Sequence, residues 1–118
     1  MQDRLNILLE KHCETIKGSV TALGRLLADL SAGTSLDPIA EVETAEALAH
    51  QLKGSSGTAG FQDVSRAATA LDDHLKLLCR GEPAGVAGGM SEAMSLYQTL
   101  ERITLATTPS SSRLYHAA

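Results

Sequence analysis

The chain has 118 residues, which is room for one domain with one core. Apolar residues make up 43% of it but aromatic ones only 3%, so the core is built from Leu, Ala, Val, Ile and Met, which suits close helix packing better than a sandwich or barrel. A net charge of −4 argues against the basic face of a nucleic-acid binder, and no run approaches the ~20 apolar residues of a membrane span.

The opening Met1-Gln2-Asp3-Arg4 lacks the basic start and long apolar run of a secretory leader. Cys13 and Cys79 show no Cys-x-x-Cys spacing. Isolated cysteines without a leader point to reduced thiols and a cytoplasmic protein.

The first segment runs from about Asp3 to Leu30. Leu5, Leu9, Cys13, Ile16, Val20, Leu23, Leu27 and Leu30 recur at steps of three and four, one apolar stripe on an amphipathic helix. Gly18 and Gly24 interrupt it. The pattern therefore reads either as one helix on the order of 40 Å long or as two, with a kink or break near Lys17-Gly18-Ser19. Ser31-Ala32-Gly33-Thr34-Ser35 is a loop by composition.

Asp37-Pro38 reads as a helix start: Asp37 caps free N–H groups and Pro38 suits the first helical position. Ile39, Val42, Ala45, Ala49, Leu52 and Ser56 form the core side of this second helix, which ends about Ser56 or Gly57. Gly57-Thr58-Ala59-Gly60 is a tight reversal. A third helix carries Phe61, Val64, Ala68, Leu71, Leu75 and Leu78 inward. Arg80-Gly81-Glu82-Pro83 ends it, with glycine for a left-handed cap and proline beyond.

Val86, Met90, Met94, Tyr97, Leu100 and Ile103 support a fourth helix, although Gly85, Gly88 and Gly89 weaken its start and shift the expected onset toward Met90. The serine-rich stretch after Thr107 stops it. The expected organisation is a helical domain over 1–107 and a mobile tail over 108–118. Four amphipathic segments with short connections give an all-α, antiparallel up-down four-helix bundle.

One stretch does more than pack: Ala49-His50-Gln51-Leu52-Lys53-Gly54-Ser55-Ser56-Gly57. On a helix, residues three and four apart share a face. His50 then shares its face with Glu43, Glu46, Ala47, Lys53, Gly54 and Gly57, beside the core stripe and outside it. Its ring is expected at the solvent edge. Glycine inside a helix costs about 1 kcal/mol relative to alanine, so access by another surface is the expected reason for Gly54 and Gly57.

The segment resembles the phosphoacceptor motif of histidine-containing phosphotransfer (HPt) domains. Ala49, His50, Leu52, Lys53, Gly54, Ser55, Ser56, Gly60 and Phe61 all fit the pattern. The resemblance implies that His50 accepts a phosphoryl group on Nε2 from a receiver-domain aspartate and passes it to another receiver. It implies that Lys53 offsets phosphoryl charge and that Gly54, Ser55 and Gly57 leave room for receiver loops. By analogy with relatives that hold the imidazole Nδ1–H with an acid on the following helix, Asp72 orients His50; Asp73 and Thr69 are the alternatives. No carboxylate cluster is expected beside His50, so no cofactor is expected here, and Mg²⁺ would be supplied by the receiver. His12, His74 and His116 have no partner pattern.

No phosphate-cradling loop or nucleotide motif is present, so a phosphotransfer intermediate is expected, and not an autonomous kinase. The partners implied are receiver domains and a hybrid sensor histidine kinase, with no nucleic acid or membrane, and the chain is expected to be a monomer. Three other readings stay open: the same domain within a larger sensor kinase, a bundle used only for protein contacts, and a metal-binding bundle using His50 and His74.

Overall fold

The computed structural model describes residues 2–80 and 83–115. Four helices follow in order: α1 (Gln2–Ala32), α2 (Pro38–Thr58), α3 (Gln62–Cys79) and α4 (Pro83–Leu105), with a 3-10 turn at Pro109–Ser111. There is no strand among the described residues. Each helix packs on its neighbours in a closed ring, α1 on α2, α2 on α3, α3 on α4 and α4 on α1. The result is the expected up-down bundle, a rod of 53 × 20 × 19 Å.

The stripes read from the sequence meet along its axis. Leu9, Ile16, Val20, Leu23 and Leu27 from α1 are buried against Val42, Ala45 and Ala49 from α2, Leu71 and Leu75 from α3, and Ala93 and Leu100 from α4. Ile39 departs from the expectation and is 45% exposed; it lies in the first turn of α2, at the end of the rod. The residues Val86 and Gly81 fall outside what is described at side-chain and backbone level, respectively.

Two helix ends share one device. Gly33 has φ +73 and Gly60 has φ +84, a region open to glycine at little cost. At the first, Thr34 N–H donates to Asp29 O at 3.0 Å and Gly33 N–H to Leu30 O at 3.3 Å. At the second, Phe61 N–H donates to Ser56 O at 2.8 Å and Gly60 N–H to Gly57 O at 3.1 Å. Both are Schellman closures, which satisfy carbonyls a helix end would orphan. Phe61, buried at 1%, then plugs the end of the core and stacks on His12 at 5.9 Å. The Gly60-Phe61 pair therefore ends α2 and turns the chain into α3. At the other end of α2, Asp37 caps as expected, accepting from Ala40 N–H at 3.2 Å.

Of the two readings left open for the first segment, the structure takes the first: α1 is one continuous helix, with its apolar stripe buried through Gly18 and Gly24. Two expectations are corrected. α4 begins at Pro83 and not near Met90; proline has no N–H to lose at a first helical position, so it opens this helix. The stretch expected as a mobile tail packs on the bundle, its 3-10 turn against α1 and Ser112 to Leu114 against the α2–α3 reversal. Ser112 Oγ donates to Ala59 O at 2.6 Å and Arg113 N–H to Gly60 O at 3.0 Å. The reversal leaves those carbonyls beyond the helix end, where they need donors. Residues 116–118 of the expected tail lie outside the described residues.

The two α1 glycines differ physically. A Cβ on Gly18 would meet nothing within 4 Å, whereas one on Gly24 would collide with the Tyr97 hydroxyl and lie 2.7 Å from Tyr97 Cζ. Tyr97 is buried and donates to Val20 O at 3.1 Å. Gly18→Ala should stabilise the fold by about 1 kcal/mol, the helix-propensity gain. Gly24→Ala should destabilise it by about 1 kcal/mol, since overpacking outweighs that gain. Urea unfolding of the pair checks this; equal shifts of the same sign would show that Gly24 makes no room for Tyr97.

Candidate functional site

The site lies midway along the α2–α3 hairpin. Ala45, Ala49 and Ala68 are all fully buried, and small residues let two helices approach closely. Ser65 Oγ on α3 donates to Lys53 O on α2 at 3.0 Å, a further tie. Ala49 and Leu52 point into the core, and this rotation puts His50 at the solvent edge with its side chain 61% exposed.

Below the imidazole sits Asp72, fully buried on α3. Its Oδ2 lies 3.1 Å from His50 Nδ1, 3.2 Å from Lys76 Nζ and 3.8 Å from Lys53 Nζ. Asp72 is thus the acid brought to His50. Of the alternatives, Asp73 is exposed and Thr69 donates to Ser65 O at 2.7 Å within its own helix. Burial acts to raise the Asp72 carboxyl, but the hydrogen bond from His50 and the adjacent Lys76 ammonium outweigh it and hold it below the usual carboxylate range. An ionised Asp72 accepts a hydrogen bond and has no proton to donate. Nδ1 is then the protonated nitrogen of a neutral His50, and the lone pair rests on Nε2.

Two charged neighbours were not among the candidates. Lys76 stands at i+4 from Asp72, and Glu46 at i−4 from His50. That spacing is the signal which, once Asp72 and His50 are chosen, finds both. Ligand atoms of Glu46, His50 and Asp72 all lie within 4.8 Å of one another, so two carboxylates do stand beside His50, contrary to expectation. Burial first, then the nearby negative charge of Asp72, push the Glu46 carboxyl up. These three residues are the set that could hold a cation, but the ammonium groups of Lys53 and Lys76 already face Asp72 and oppose one.

The three residues expected to give access differ. Gly54, one turn beyond His50, is exposed, and a Cβ there would meet nothing within 4 Å. Ser55 is exposed as well. Gly57 turns toward α3: a Cβ on it would lie 3.2 Å from Ser65 Oγ. Glycine there makes space for the Ser65–Lys53 tie, so its place in the site is helix packing.

Residues 7–104 match the Hpt domain family. The match spans most of the chain and all four helices, and the chain belongs to the Hpt domain family. No curated protein and no solved structure matches it. Hpt domains serve phosphotransfer in two-component signalling, as phosphocarriers and not catalysts, and interact with receiver domains of response regulators or hybrid kinases. Among the described residues, no helix is long and apolar enough to cross a membrane.

Proposed function

We propose that this chain is a phosphorelay carrier and that His50 is its phosphoacceptor. The Nε2 lone pair attacks the phosphorus of a receiver's aspartyl phosphate. The P–O bond breaks, its electrons leave with the carboxylate, and a P–Nε2 bond forms. A second receiver's carboxylate reverses these steps. The observation that carries the reading is an exposed imidazole whose Nδ1 is held by a buried carboxylate, which leaves Nε2 free and outward. This chemistry needs positioning and charge stabilisation more than covalent help. Lys53, half-buried one turn from His50, supplies positive charge. The divalent cation of the reaction, Mg²⁺, belongs to the receiver. Free Cys13 and Cys79 support a cytoplasmic setting, and the chain acts as a monomer. A bundle used only for contacts has no need of the His50–Asp72 bond.

The test is transfer from purified, phosphorylated receiver domains to this chain, with Gly54→Gln as the docking control. Receivers should label the wild type. Gly54→Gln should fold normally, since glycine is the poorer helix former by about 1 kcal/mol and its Cβ position is open. The longer side chain should cut the transfer rate at least ~10-fold by obstructing approach. Transfer at the wild-type rate would remove Gly54 from the docking surface.

A further inference from the structure

We propose that Glu46 raises the phosphoryl-transfer potential of His50, so that the carrier holds its phosphate loosely and releases it readily. This rests on His50 being the phosphoacceptor. Glu46 stands one turn before His50 on the same face of α2, and its carboxyl lies within 4.8 Å of a ring nitrogen and of the Asp72 carboxylate.

The charges around the ring are unevenly partnered. Lys76 and Lys53 both face Asp72 Oδ2, at 3.2 and 3.8 Å. No ammonium or guanidinium lies within 4.0 Å of Glu46 among the described residues. Glu46 is half-buried, so water screens it incompletely. Burial and then the negative charge of Asp72 push its carboxyl up, against the weaker opposing pull of Lys76 and His50. A phosphoryl group on Nε2 adds further negative charge on the same ring. Lys53 and Lys76 favour the phosphorylated state and Glu46 opposes it, since like charges repel where water screens them incompletely.

Glu46 would therefore act on the equilibrium, in the direction of release. Its substitution has an unusual signature: removing a charged residue from the site should increase phosphorylation. A residue that only supported the fold would give a loss or no change.

Phosphoramidate tests this without a receiver. The P–N bond of phosphoramidate breaks, its electron pair leaves on ammonia, and the Nε2 lone pair forms the new P–N bond. The ratio of phosphorylated to free protein is read at equilibrium by intact mass spectrometry, at mildly alkaline pH to keep Glu46 ionised. Glu46→Gln should raise that ratio about 3- to 10-fold over wild type, and added salt should shrink the difference. Glu46→Asp, which keeps the charge, should stay nearer wild type. An equal or lower ratio in Glu46→Gln, with folding intact by circular dichroism, overturns the inference. His50→Gln separates the two levels. If it abolishes labelling while Glu46→Gln matches wild type, only the role of Glu46 fails. If it labels like wild type, the reading of His50 fails with it.

Discussion

His50→Gln should reduce labelling by a phosphorylated receiver to background while the bundle unfolds at nearly the wild-type denaturant concentration. The fold is spared because His50 is 61% exposed and, among the described residues, its one ion-pair contact within 4.0 Å is with Asp72. Glutamine can offer Asp72 an amide N–H from a similar place, and surface substitutions of this kind usually stay within about 0.5 kcal/mol. The chemistry is lost because an amide nitrogen has no lone pair free to attack phosphorus. The other described histidines offer no substitute. His12 stacks on Phe61 with Nε2 buried, and His74 Nε2 is engaged by Gly89 O at 3.0 Å. The measurement is acid-labile label after incubation with a charged receiver. Undiminished label on His50→Gln would mean that another residue carries the phosphate.

The helices were legible because their apolar stripes have one partner set each. Leu9 to Leu30, Val42 to Leu52, Val64 to Leu78 and Met90 to Leu100 are buried as their spacing required. What failed to read were features set by tertiary contact. Composition marks Pro109–Ser112 as a tail, but Ser112 is buried by carbonyls that come from the α2–α3 reversal 53 residues earlier. Proline ends one helix or opens the next, and only the path of the chain at Pro83 decides which.

The site divides in the same way. His50 and Gly54 are legible because the motif sets their exposure through the phase of α2. Asp72 was one of three candidates, since the analogy with relatives places an acid on the following helix without fixing which neighbouring side chain turns toward His50, and its complete burial was not anticipated. Gly57 was assigned to a partner surface because glycine shows that something approaches closely without showing from which side. Here it is Ser65 of the chain's own α3.

Asp72→Ala should slow transfer about 10- to 100-fold, the loss typical when the carboxylate that fixes a histidine's tautomer at a metal site is removed, and leave receiver affinity unchanged. Asp72 has no exposed surface, so a docking partner does not touch it. Its contribution lies in holding Nδ1–H and in facing the positive charge that develops on the ring as Nε2 is phosphorylated, a state absent from the encounter complex. Two further measurements separate this role from a structural one. Ring ¹⁵N shifts should show the single Nδ1–H tautomer of neutral His50 giving way to a mixture in the variant. Acid unfolding should also change, with a definite sign. The Asp72 carboxyl is held below its ordinary value, so its stabilisation is fully present above the unfolded value of about 3.9 and is lost as pH falls through the folded one. Asp72→Ala removes that acid-sensitive component, leaving a shallower loss of stability in this range. The overall cost stays near 1–2 kcal/mol, because Lys53 and Lys76, 35% and 38% exposed, can turn to water once the carboxylate is gone. An unaltered tautomer together with an unaltered transfer rate would make Asp72 a packing residue, and the outward lone pair of His50 would need another cause.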